Sequence, residues 1–185
     1  MGQLTIWGFI SFKRFEFLGE IGDIEKAISS FGHALQLIPE GHAARPGVLS
    51  NLGSSFSKHF EHLGDLGDIE KAISNHENAI QLTLDGHVDR PGQLTNLGIA
   101  FCRCFEYLGK LEDIEKAISS LETAVKLTPD GHADKPHRLA NLGGSIQRRF
   151  QCLGELADIE KAISSLEISI QLTPEGDTYK PGRLT

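Results

Sequence analysis

Cysteine is scarce in this 185-residue chain, occurring only at Cys102, Cys104 and Cys152. The odd count matches no disulfide framework and points to a reducing, intracellular setting. Cys102 and Cys104 are two apart, so on a helix they diverge by roughly 160° and cannot share a metal ion. No apolar run is long enough to span a bilayer. The stretch from Leu4 to Phe12 is short, is followed by Lys13 and Arg14, and lacks the small-residue cleavage site of a signal peptide. Met1-Gly2 begins like a myristoylation site, yet Ile6 stands where Ser or Thr is required. Positive charge is also short: the net charge of −7 argues against a general nucleic-acid binder, whose affinity rests on Lys and Arg. These absences together predict a cytoplasmic chain with neither membrane nor nucleic acid as partner.

Signatures of catalysis are missing as well. There is no phosphate loop, dinucleotide fingerprint or nucleophile elbow. Ser29-Ser30 and Ser119-Ser120 have no His–Asp arrangement at a supporting spacing. No catalytic residue, metal or cofactor is expected.

Repetition is what the chain has in abundance. Gly-Asp-Ile-Glu-Lys-Ala-Ile-Ser occurs at 22–29 and unchanged at 67–74, with close relatives at 112–119 and 157–164. Its aspartates, Asp23, Asp68, Asp113 and Asp158, advance by 45 residues each time. A fixed period of this length marks stacked copies of one supersecondary unit, which present a long surface rather than one deep pocket. The units are 1–45, 46–90, 91–135 and 136–180, and residues 181–185 open a truncated fifth. The chain thus reads as a fragment of a longer array, and neither end carries a polar capping element.

The third unit shows the local structure. Leu94, Leu97, Phe101, Phe105 and Leu108 fall on one helical stripe that starts at Pro91 and ends at Gly109. A second helix starts near Asp113, whose carboxylate suits free N–H groups or the positive helix end. It carries Ile114, Ala117, Ile118, Leu121, Ala124 and Val125, the two alanines marking close approach between helices. Thr128-Pro129-Asp130-Gly131 stops it. Each unit is therefore an α-hairpin, with a loop of about ten residues to the next. No stretch alternates with strand period, so the fold class is all-α.

These residues resemble the tetratricopeptide repeat, whose signature is W-x-x-L-G-x-x-Y, then A-x-x-x-F, then P. The third unit has Leu94, Leu97, Gly98, Phe101, Ala117, Leu121 and Pro129 in register, and the fourth has Leu139, Leu142, Gly143, Ile146, Ala162, Leu166 and Pro174. In the second, His76 replaces the aromatic and Leu84 the proline; the first departs most, with Trp7 before Gly8 and Ser11 where an aromatic belongs. The family period is 34, so the additions are expected in a longer first helix, a longer turn within the hairpin and a longer inter-hairpin loop. Long-period members look like the repeats of kinesin light chains. The linker 127–136 is similar to that of fungal repeat arrays, some of which accompany caspase-like peptidase or nucleotide-binding domains. The resemblance implies a right-handed α-solenoid of four repeats that binds a protein or peptide in a concave groove lined by first helices. It leaves two alternatives: a spacer or rod that self-associates end to end, or a regulatory segment serving an effector domain elsewhere.

The polar face of the first helices supplies the candidate site. Asn51, Asn96 and Asn141 recur in register, with Ile6 in the first unit. Lys13, Lys58, Arg103 and Arg148 form a basic series on the same face. An Asn amide both donates and accepts, so it can grip a peptide backbone, and relatives place an Asn on bound peptide at the matching position. The basic series would attract acidic side chains or a terminal carboxylate. Equally, the Asn set could hydrogen-bond the adjacent hairpin, and the basic set could be a solvated face. His42, His87 and His132 each follow a loop Gly. Successive hairpins are on the order of 10 Å apart, too far for one metal, so these histidines are expected to close the turn or pack on the next helix.

Overall fold

A computed structural model describes residues 2–173. Pro174 and the fifth unit at Pro181 lie outside the described residues. Within the described residues the chain is helical throughout and contains no strand. The elements are α1 (Gly2–Leu18), α2 (Ile21–Leu37), α3 (Arg45–Leu63), α4 (Leu66–Leu82), α5 (Arg90–Leu108), α6 (Leu111–Leu127), α7 (Lys135–Leu153) and α8 (Leu156–Leu172). They fall into two compact units, Met1–Ala100 and Phe101–Thr185.

In the first unit α1 pairs with α2 and α3 with α4, and α2 packs on α3. Its core holds Phe15, Ile24, Ala27, Phe31, Ala34 and Ile38 from the first hairpin, with Val48 and Leu52 from α3. In the second unit α7 pairs with α8 and packs on α6. Ile114, Ala117, Leu121 and Ala124 of α6 are fully buried there.

Two expectations about the added length are corrected. The turn inside each hairpin is not lengthened: only residues 19–20, 64–65, 109–110 and 154–155 separate the paired helices. A left-handed Gly makes that possible; Gly64, at φ 70°, ends α3 and donates to the Phe60 carbonyl at 2.8 Å. The inter-hairpin loop is also shorter than expected, covering only 38–44, 83–89 and 128–134. The reason is that second helices run to Leu37, Leu82 and Leu127, and the next helix begins one residue before its proline.

Each loop is drawn tight by a cation. Arg45 Nη1 donates to the Leu35 and Ile38 carbonyls at 3.1 and 2.8 Å. Arg90 does the same to Ile80 and Thr83 at 3.1 and 2.7 Å, and Lys135 Nζ to Val125 and Thr128 at 2.9 and 2.7 Å. Positive charge here meets unsatisfied carbonyls at the negative end of a helix. The loop histidines close the turn, as expected: Nδ1 of His42, His87 and His132 accepts from the main-chain N–H two residues on, at 3.1, 3.2 and 3.1 Å.

Glycine on the first helix sets how closely the hairpin closes. A Cβ at Gly8 would lie 2.7 Å from the Phe31 ring, at Gly53 2.8 Å from the His76 ring, and at Gly143 2.8 Å from Leu166. Gly53→Ala is therefore expected to destabilise by about 1–3 kcal/mol through overpacking, read as a drop in melting temperature.

His76 is the anomaly of this layer. It is fully buried, and neither ring nitrogen has a hydrogen-bond partner among the described residues. Burial pushes its pKa down to about 4, from an ordinary value of 6.5. Between those values the unfolded chain takes up a proton that the folded chain refuses. Stability is thus full above about pH 6.5 and falls as pH drops toward 4, by roughly 3 kcal/mol at about 1.4 kcal/mol per unit. Replacing His76 with Leu, the residue at the equivalent positions 121 and 166, should raise stability at neutral pH. Denaturant melts should also show a flatter profile for the variant between pH 6.5 and 4.

Candidate functional site

The first helices α1, α3, α5 and α7 each carry a polar face of their own. Asn51, Asn96 and Asn141 are all half-buried, neither sealed in the core nor fully in water. Asn141 Nδ2 lies 3.4 Å from the His137 ring, one turn earlier on its own helix. Among the described residues, the side chains of Asn51 and Asn96 make no hydrogen bond. In the second hairpin it is the Asn51 main-chain carbonyl that is engaged, accepting from the Ser55 hydroxyl at 2.8 Å.

The basic series is a series of ion pairs. Lys13 meets Glu16 at 2.7 Å, Lys58 meets Glu61 at 2.8 Å, and Arg103 meets Glu106 at 2.8 Å, each three residues on. The fourth hairpin has Gln151 where the Glu would stand, and Arg148 Nε instead reaches Glu106 at 2.5 Å. Arg148 Nη1 also donates to the Gly144 carbonyl at 3.0 Å. Glu106 thus accepts from two guanidinium groups. Partial burial opposes its ionisation, but the hydrogen bond and charge of Arg103 and the charge of Arg148 outweigh it, holding the carboxyl below its ordinary pKa. The face therefore alternates in sign. The Lys/Arg-x-x-Glu spacing that produces it is visible in the sequence at 13/16, 58/61 and 103/106.

A second constellation was not anticipated. Asp23, Asp68 and Asp158 are buried, and each is paired with a residue of the preceding helix. Arg14 Nε donates to Asp23 at 2.7 Å, and Arg149 donates through Nε and Nη2 to Asp158 at 2.8 and 2.6 Å. His59 Nδ1 stands 2.5 Å from Asp68. Hydrogen bonding from Arg149 holds the Asp158 carboxyl below its ordinary pKa. The signal was a base nine residues before each Asp, broken in the third unit, where Cys104 takes the place and the buried Asp113 Oδ2 has no hydrogen-bond partner among the described residues. These aspartates hold the two arms of a hairpin together in addition to favouring the helix start.

The His59–Asp68 pair has the separation of an acid–base dyad. However, the Ser55 hydroxyl, one turn earlier, is buried and donates to a carbonyl, so no activated nucleophile accompanies it. Among the described residues no group of three or more His, Cys, Asp or Glu could hold a metal ion. No helix among them is long and apolar enough to cross a membrane. Cys102 and Cys104 are buried and Cys152 is exposed.

The family model for the tetratricopeptide repeat matches residues 106–130, which run from the end of α5 through α6 into the following loop. No curated protein matches the chain. Among solved structures it is similar to the DHF58 filament, at 15% identity over 92% of this chain and 91% of that one, with a TM-score of 0.52. It is also similar to the DHF119 filament (16% identity, 92% of each chain, TM-score 0.46) and to the de novo designed helical repeat protein DHR64 (16%, 92% of each, 0.41). The chain is thus a helical-repeat protein, all-α among the described residues and built from helical hairpins, with a tetratricopeptide-like segment at 106–130.

If Glu106 joins Arg103 and Arg148, Glu106→Gln should weaken both contacts without unfolding the protein. The expected loss is below about 1 kcal/mol, as for other exposed pairs, and salt titration of the melting temperature checks it.

Proposed function

We propose that the chain is a non-catalytic interaction scaffold that holds an extended peptide or a segment of a partner protein on the polar face of its first helices, repeating every 45 residues. The observation that carries this reading is the Asn series. Asn51, Asn96 and Asn141 keep their register, stay half-exposed, and have little or no internal hydrogen bonding to explain them. Unsatisfied amides at regular spacing suit a main chain, which offers a donor and an acceptor per residue.

Lys13, Lys58, Arg103 and Arg148 flank that series. Their pairing with Glu16, Glu61 and Glu106 tempers any preference for acidic partners, since an incoming carboxylate must compete with one already in place. Backbone capture by the Asn amides is the primary contact and charge sets orientation.

The test combines affinity capture from lysate, followed by mass spectrometry, with substitution. Changing Asn51, Asn96 and Asn141 to Ala together should shift stability by less than about 1 kcal/mol and lower capture of the enriched partner at least about tenfold. Intact capture, or a collapse of the melting transition, would assign the Asn series to the scaffold instead.

A further inference from the structure

We propose that the cleft between the first two inter-hairpin loops binds a small organic carboxylate with an apolar body, its charge held by Arg45. The cleft has a volume of about 460 Å³, with one wall between Gly41 and Gly47 and the other between Leu82 and Asp89. It lies wholly within the first unit. Its size falls in the range of roughly 300–1,000 Å³ usual for small-molecule sites. It shares no residue with the Asn series, so it is a site apart from the polar face of the first helices.

Ala43, Ala44, Pro46, Leu82 and Leu84 give the cleft its apolar lining. Leu84 stands where the first and third loops have Pro39 and Pro129, and it is 79% exposed. A largely exposed aliphatic side chain on a cleft wall gains from any apolar group that covers it.

Arg45 is half-buried and held in place. Its Nη1 spans the Leu35 and Ile38 carbonyls, which fixes the guanidinium without using Nε or Nη2. The two matching cations each have an acid: Arg90 Nη2 meets Asp85 at 3.2 Å, and Lys135 Nζ meets Asp130 at 3.3 Å. Glu40 takes that place in the first loop and lines a neighbouring cleft. Among the described residues, however, Arg45 has no ion pair. A guanidinium edge with two N–H groups to spare matches a carboxylate bidentately.

His42 and His87 also line the cleft. Each uses Nδ1 to accept a main-chain N–H, so the ring proton stands on Nε2 and remains a donor. Asp89 is the one acid on the cleft wall among the described residues, and its side chain is 67% exposed, where water and salt screen it.

The probe is sodium hydrocinnamate, titrated into the isotope-labelled 185-residue chain at constant ionic strength and followed by its amide resonances. Saturable shifts grouped at 41–47 and 82–89 are expected, with a dissociation constant at or below about 1 mM. Hydrocinnamide lacks the charge and inorganic phosphate lacks the apolar body, so each should bind at least about tenfold more weakly. Arg45→Lys tests the charge contact. Lys135 already makes the same two carbonyl contacts, so the fold is kept while the spare guanidinium donors are lost. Leu84→Asp tests the wall at a side chain that contributes little burial. Each substitution should lower affinity at least about fivefold with the far-ultraviolet helical signal unchanged. No saturable shift by about 10 mM overturns the proposal. Equal binding of the amide would leave only an apolar crevice, and equal binding of phosphate only an anion contact; either result overturns it. So does affinity that survives Arg45→Lys or Leu84→Asp.

Discussion

Everything in these hairpins depends on how closely two helices can approach at a glycine. Gly8, Gly53 and Gly143 lie against Phe31, His76 and Leu166, at distances where no Cβ fits. With that spacing set, Ala27, Ala72 and Ala162 can be buried across the same seam. Near the turn, Arg14 and Arg149 come within hydrogen-bonding reach of Asp23 and Asp158. A methyl group at the glycine would open the seam and pull these contacts apart. The second hairpin tolerates a buried, unpartnered His at this point because the ring fills the volume that Phe31 or Leu166 fills elsewhere.

Cations in the repeat do three separate jobs, sorted by where they stand. Arg45, Arg90 and Lys135 sit on helix-end carbonyls and shorten the loop. Arg14 and Arg149 neutralise a buried aspartate, and His59 stands within hydrogen-bonding distance of another. Lys13 is exposed and Lys58 and Arg103 are half-buried, and each is matched by a glutamate one turn on. The first two sets are structural, because each leaves buried or helix-end groups unsatisfied if removed. The third pairs side chains that are not sealed in the core, so it costs less to disturb.

The hairpins could be read from the spacing of Leu94, Leu97, Phe101, Phe105 and Leu108, because one buried stripe imposes that period directly. The recurrence of Asn51, Asn96 and Asn141 was equally plain. Helix length was not, since Leu127 and Lys135 join their helices only when a cation satisfies the carbonyls left at the loop. The role of Asp23 was hidden for a related reason. Its partner, Arg14, lies across a turn whose two-residue length the sequence does not announce. His76 stood out as an odd residue at an aromatic position, but its lack of any hydrogen-bond partner is a property of the packed core.

The nine-residue separation between Arg14 and Asp23, repeated at 59/68 and 149/158, has a bearing on how the chain reaches its fold. Such contacts close across a short loop, so these three hairpins can form early and with little loss of chain entropy. Speed of this kind offsets a hazard peculiar to near-identical copies. Residues 22–29 and 67–74 are the same eight amino acids, so α2 and α4 are chemically hard to tell apart as partners for a neighbouring first helix. A hairpin sealed locally, before the next copy is in reach, is protected from exchange with it; discrimination between repeats then comes from the order of events rather than from side-chain identity.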